Sequence, residues 1–158
     1  MAGSDSAPIY VIDSSSWIAT EGHPARTRIL YAILKLVEQG KVACPPEVWK
    51  ELKKCPWVLA WIGKQRKRIV RAITNSEYLS LVGQVAHAYP SMCATRGSKE
   101  KADGYVVAMA VHGSRTANPT PWVGVAEDHL IRAACQEHQV GGIDLVEMLR
   151  REFPDENW

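Results

Sequence analysis

Four short apolar runs set what this chain can fold into: IYVI at 9–12, KVAC at 41–44, PWVGVA at 121–126 and GGIDL at 141–145. The stretches between them are much longer than hairpin loops, and several repeat their apolar residues at helical spacing. Antiparallel neighbours can be joined by two residues, whereas parallel neighbours need a crossover of a dozen or more. Apolar strands separated by helices therefore predict an α/β domain. The expected architecture is three-layer α/β/α, with a mainly parallel central sheet covered on both faces.

The helices can be placed between the strands. In 24–40, Ile29, Ile33, Leu34 and Val37 share a face, and Gly40 supplies a C-terminal cap. Pro46 suits the first turn of a helix through 47–54, where its missing N–H would be unpaired anyway. One helix is expected over 56–73, and another begins after the capping residues Asn75 and Ser76. Residues 90–101 read as a polar loop, 102–113 as an apolar helix ending near Gly113, and 114–121 as a turn-rich connection. Further helices are expected over 129–139 and 146–153. The 158 residues are read as one domain at 9–153, between a flexible tail at 1–8 and a polar tail at 154–158.

Several functional classes lose their warrant. No window approaches the apolar length of a membrane span, and MAGSDSAP lacks a basic, apolar leader pattern, so the expected compartment is the cytoplasm. Cys44, Cys55, Cys93 and Cys135 never form paired C-x-x-C spacing, and the five histidines are scattered, so structural zinc and a Cys–His pair are unsupported. His112 and His129 are read as packing residues. There is no G-x-S-x-G elbow, phosphate-binding loop or G-x-G-x-x-G fingerprint.

The acids behave differently. Asp13 follows the first strand, Glu51 lies in the helix after the second, Asp103 opens the apolar helix, and Asp128 follows the 121–126 strand. Ligands of open α/β sheets gather at the carboxyl ends of the strands, and all four positions can reach that edge. Each acid alone could cap a helix or sit in solvent. Glu47 is an alternative to Glu51 one turn earlier. Four carboxylates converging there would repel one another unless a hard divalent cation, Mg²⁺ or Mn²⁺, neutralised them. The chemistry implied is metal-assisted phosphodiester hydrolysis. With Asp13 at such a site, Ser14 or Ser15 is expected to cap the first helix.

A formal net charge of +2 says little about partners, but Lys64, Lys67, Arg68 and Arg71 recur at helical spacing and would form one basic stripe for RNA phosphates, or a solvated face. Six tryptophans accompany one phenylalanine. Trp49, Trp57 and Trp61 are expected in core or a protein interface, with base stacking as the alternative.

The segments VIDSSSW, PPEVWKEL, KADGYVVAMA and VGVAEDHL resemble, in order and spacing, the acidic motifs of the PIN-domain superfamily of nucleases. The resemblance runs from about residue 9 to residue 150. It implies that Asp13, Glu51, Asp103 and Asp128 hold Mg²⁺ or Mn²⁺ for cleavage of RNA, with Ser15 supporting the acids. The pattern departs at Ala126, where the superfamily commonly has Ser or Thr, and Glu127 stands beside Asp128 as a second choice. The resemblance further implies an endoribonuclease acting as the toxin of a toxin–antitoxin pair, a homodimer, and an antitoxin protein as partner. The alternatives are a catalytically silent module that binds RNA or protein, and an RNA-processing or DNA-directed nuclease using the same site.

Overall fold

The computed structural model describes residues 7–93, 101–116 and 120–158. Four parallel strands lie in the order β2-β1-β3-β4: β1 (Ile9–Ile12), β2 (Val42–Ala43), β3 (Trp122–Val125) and β4 (Gly141–Ile143). Helices flank both faces, giving the three-layer α/β/α arrangement. On one face lie α8 (Asp103–Thr116) and α9 (His129–Glu137), with α6 (Ser76–Ala88) packed on α8. The other carries α1 (Ser14–Glu21), α2 (Arg26–Glu38) and α10 (Leu145–Glu152). There the Tyr10 hydroxyl donates to Glu152 Oε1 at 2.8 Å, and Lys41 Nζ pairs with Glu152 Oε2 at 2.9 Å, joining the sheet to α10. Among the described residues, no helix is long and apolar enough to cross a membrane.

β1, β2 and β3 are largely enclosed, which explains why their runs are continuously apolar instead of alternating, while only Ile143 of the edge strand β4 is buried. Tyr10, Val11, Ile12, Val42, Ala43 and Val125 are all buried. In α8 the residues from Val106 to Val111 are buried all round, the pattern of a helix enclosed by its neighbours. The chain leaves β1 toward β2 on one side and returns to β3 on the other, so the topology switches between β1 and β3. Crevices at such a switch point, beyond the carboxyl ends of the strands, are where open α/β sheets bind ligands.

Several expectations fail. The single helix over 56–73 is broken into α4 (Pro56–Ile62), a 3₁₀ turn (Gly63–Gln65) and α5 (Arg66–Ile69), after which Val70 is extended. Cys44 N–H donates to Ile69 O at 2.9 Å and Arg71 N–H to Cys44 O at 3.0 Å, so pairing at the edge of β2 overrides the local periodicity. Lys64, Lys67, Arg68 and Arg71 consequently do not share a helical stripe. The Arg71 guanidinium sits 5.0 Å over the Trp122 ring, at the amino end of β3.

The apolar helix also runs past Gly113 to Thr116. Gly113 is there for packing: a Cβ at this position would lie 2.2 Å from Trp122 Cδ2. The polar tail at 154–158 folds back on the chain. Trp158 Nε1 donates to Phe153 O, and Arg28 stacks on the Trp158 ring while donating to Asn157 O and Glu156.

The expected loop at 90–101 begins instead with a short helix, α7 (Pro90–Cys93); its residues 94–100 lie outside the described residues, as do 1–6 of the tail and 117–119 of the connection. The tryptophans divide between settings. Trp17 is fully buried, whereas Trp57 and Trp61 pair at 5.8 Å with Trp61 exposed, beside Tyr31. His112 is a packing residue, buried against Tyr78 and joined to Asn75 Nδ2 at 3.1 Å through Nε2.

Candidate functional site

The switch point fixes two of the four acids by topology alone. Asp13 is the first residue after β1 and Asp128 the third after β3, and β1 and β3 are paired along their full length. Asp13 N–H donates to Val125 O at 2.8 Å, which ties the two strand ends together.

Asp13 is 1% exposed, and its two oxygens have different fates. Oδ2 accepts Ser15 N–H at 3.0 Å, so Asp13 is the N-cap of α1; the expectation that Ser14 or Ser15 would cap in its place is overturned. The serine hydroxyls are engaged elsewhere. Ser14 Oγ donates to Glu51 Oε2 at 2.7 Å, and Ser15 Oγ accepts Glu127 N–H at 3.0 Å. Oδ1 of Asp13 is buried and has no hydrogen-bond partner. A buried carboxylate oxygen left unpaired is a costly feature, rare unless something else answers it. Burial pushes the Asp13 carboxyl up, bonds from Ser15 oppose this, and the charge of Glu51 adds to the rise.

Glu51 ends α3 (Pro46–Glu51), and besides the Ser14 hydroxyl it accepts the Ala102 N–H at 2.8 Å through Oε1. That N–H belongs to the residue immediately before α8, so a negative charge is held against the positive end of that helix. Glu51 acts electrostatically on Asp13 and Asp103; Glu47 acts on Tyr78 and on Cys44, which also feels Asp13, and Glu47 Oε2 is a second buried carboxylate oxygen without a hydrogen-bond partner.

Asp103 opens α8, and its carboxyl is pushed up to about 7. Burial is the largest cause, followed by the charges of Asp13, Glu51 and Asp128, with Lys101 opposing them. Asp103 thus feels all three of the other sequence-predicted acids, and Asp13 feels Glu51. Asp128 meanwhile caps α9 through Oδ1, which accepts Leu130 N–H at 2.8 Å.

Glu127 is directed elsewhere. Its Oε1 accepts Ser16 Oγ at 3.2 Å and Leu145 N–H at 3.0 Å, toward the start of α10. Its role as a reserve for Asp128 loses support, because it is not among the charges that raise Asp103.

Sequence reading missed two residues here. Ser14 reads in the sequence only as a cap, and its bond to Glu51 spans 37 residues, beyond any local signal. Arg132 Nη1 donates to Ala126 O at 2.9 Å and Glu127 O at 3.1 Å, holding the turn that carries Asp128; its position four residues after that acid, on the same helical face, was the available clue.

The donor set is all oxygen, the kind that suits Mg²⁺ or Mn²⁺, and the unpartnered Asp13 Oδ1 is a buried oxygen that a cation would answer. Among the described residues, no three Asp, Glu, His or Cys side chains are drawn together as a ready cage. Mutual repulsion holds carboxylates apart, and Mg²⁺ needs only one or two of them beside retained waters, so an open acidic crevice remains compatible with such an ion.

A family model described as a domain of unknown function (DUF4411) matches residues 10–154. The chain belongs to the DUF4411 family. The match begins one residue into β1 and ends just beyond α10, so it takes in all four acids. No curated protein matches this DUF4411 chain.

Proposed function

We propose that this DUF4411 protein is a metal-dependent endoribonuclease of the PIN kind, acting in the cytoplasm as the toxin of a toxin–antitoxin pair. The observation that carries the hydrolytic reading is the Asp103 carboxyl, pushed up to about 7 by burial and by three other acids. Such a concentration of repelling charge at a switch point is unfavourable by itself and is answered by a divalent cation. Asp13, Asp103 and Asp128 would hold that cation, with Glu51 directly or through water. The ion would supply water activation and stabilisation of the leaving oxygen. The protein's own groups orient the site: Ser14 fixes Glu51, Ser15 fixes Asp13, and Arg132 fixes the Asp128 turn. The deciding experiment is cleavage of single-stranded RNA with Mn²⁺ and with EDTA, where cutting that survives EDTA overturns the mechanism. Growth arrest on expression, relieved by Asp13→Ala, tests the toxin role.

The Ser14 bond provides a graded test. Ser14→Ala removes the donor to Glu51 Oε2 and leaves the carboxylate free to swing. Supporting partners of ligands cost about 10–100-fold when removed, so RNA cleavage should fall by that factor. Stability should drop by only about 1–2 kcal/mol, since the bond is partly buried. Activity at the wild-type level would remove Ser14, and with it the oriented Glu51, from the site.

RNA binding has a second support. Lys50, Lys53, Lys54, Lys64, Arg66, Lys67 and Arg68 are all exposed, and none joins an ion pair among the described residues. Replacing Lys64, Lys67 and Arg68 with Ala should lower the magnitude of the salt slope of RNA binding by up to about 2, at roughly 0.7 per phosphate contact on a single strand. Arg71→Ala, whose target is the Trp122 ring, should leave that slope unchanged.

A second reading, a PIN-like module that binds RNA or protein without cutting it, is favoured by Ala126, which leaves the site without the hydroxyl that the superfamily commonly places there. Wild type that binds several RNAs with Mn²⁺ and cuts none would establish it.

A further inference from the structure

We propose that a cavity beside the acidic crevice is a base-recognition pocket that receives one unpaired cytosine of the cleaved strand. The proposal rests on the nuclease reading for its RNA, and on separate residues for its chemistry. The cavity, about 150 Å³, lies between α1, the start of α2 and α10. Its walls are mainly apolar, from Ala19, Ile29, Leu149 and Trp158. An open-mouthed cavity of that size has room for one six-membered ring, which favours a pyrimidine over a purine.

Of the four polar residues on the lining, His23, Arg28, Glu127 and Asn157, two give the ring an identity. Glu127 is fixed through Oε1 by Ser16 and Leu145, and Oε2 carries no protein hydrogen bond among the described residues. His23 Nδ1 accepts the Ala25 N–H at 2.9 Å, so the neutral ring carries its proton on Nε2, a donor. One acceptor and one donor suit a pyrimidine with an amino group and a carbonyl. Carboxylates accept from the cytosine N4 amine, whereas uracil would set its O4 carbonyl against the same carboxylate. Arg28, also on the lining, is already engaged with Glu156, Asn157 and the Trp158 ring.

The pocket is joined to the acids by two short stretches of chain. Glu127 immediately precedes Asp128. Ser16, which holds Glu127, stands three residues after Asp13, and Ala19 stands six after it, about 9 Å along α1. A base can therefore enter the cavity while the backbone of the same strand lies at the acids. Unpaired bases that can splay out of the strand are what sequence-selective RNA-binding proteins read.

The test uses the full chain and Glu127→Gln. Glutamine keeps the oxygen that Ser16 and Leu145 need and replaces the other with an N–H₂ group, so preference should pass from cytosine to uracil. Mapping Mn²⁺-dependent cuts on a mixed-sequence RNA should show wild type cutting beside cytosine. Glu127→Gln should move the ratio of cytosine-flanked to uracil-flanked cuts by at least about tenfold toward uracil, and Ala19→Leu, which fills the cavity, should bring that ratio close to one. Cuts indifferent to base, or a ratio unmoved by Glu127→Gln, would overturn the pocket. If no RNA is cut, the nuclease reading fails, and the pocket is judged by ligand-observed NMR with the metal-free chain. Selective binding of cytidine monophosphate over uridine monophosphate, reversed in Glu127→Gln, sustains it; equal binding or none sinks it.

Discussion

Replacing Asp103 with Asn should reduce Mn²⁺-dependent RNA cleavage by at least about 100-fold, and should also make the metal-free protein more heat-stable above about pH 7. The first effect follows from the proposed role in holding the cation: partners one step removed from a ligand already cost 10–100-fold. The second follows from the sign of the shift. The folded carboxyl is raised from the ordinary 3.8 to about 7, so within that window the folded state retains a proton that the unfolded chain has released. Stability therefore falls as pH rises through the window, and the penalty is complete above it. Asparagine carries no charge to repel Asp13, Glu51 and Asp128, so the variant escapes the penalty. Asp103 is only partly buried, and after allowance for solvent screening the gain is about 1–2 kcal/mol, or roughly 3–6 °C in Tm. Thermal melts in EDTA across the window should show the gap between variant and wild type widening with pH. A variant that melts below wild type throughout would mean that favourable contacts hold Asp103 in place, and the argument for a site under charge strain would collapse.

How far the sequence reveals this site depends on the range of the interactions involved. Asp13 and Asp128 stand directly beyond apolar strand runs, so strand identification alone puts them at one sheet edge. Asp103 is visible because an acid opens an apolar helix. For Asp13, cap and chemistry are not alternatives, because the carboxylate divides: Oδ2 caps α1 while buried Oδ1 is left without a partner. One residue letter cannot show that its two oxygens have separate surroundings.

Elsewhere, contacts between distant segments decided the outcome. Val58, Ile62 and Ile69 are buried and fit one face of a continuous helix, so local periodicity favoured that reading. The chain breaks because Val70 bridges Cys44, 26 residues earlier, and that pairing leaves no trace in the 56–73 stretch. Glu21 illustrates the same limit. Its two carboxylate oxygens accept the N–H groups of Trp57 and Val58, capping α4 from 36 and 37 residues away. Glycine is ambiguous for a related reason: Gly40, with φ +72°, is the turn residue its sequence context predicted, while Gly113 in a similar context makes room for an aromatic ring.

Gly113 supplies the largest stability effect expected away from the acids. Alanine should favour the helix by up to about 1 kcal/mol over glycine in isolation. Its Cβ, however, would lie 2.2 Å from Trp122 Cδ2 and 2.5 Å from Cε2. The ring has little freedom to retreat. Arg71 lies over it, and Ser114 Oγ bonds both the backbone N–H and the carbonyl of Trp122. Overpacking should therefore outweigh propensity, giving a net loss of about 1–3 kcal/mol, or roughly 4–10 °C in Tm. The contact lies at the amino end of β3, opposite the acids, so the folded fraction of Gly113→Ala should retain Mn²⁺ affinity. The cause can be isolated with a double-mutant cycle. Trp122→Leu removes the obstructing ring, so Gly113→Ala should be nearly neutral, or stabilising through propensity, in that background. An equal loss in both backgrounds would mean that the glycine serves the helix backbone and not the ring, and the reading of Gly113 as a packing residue would fall with it.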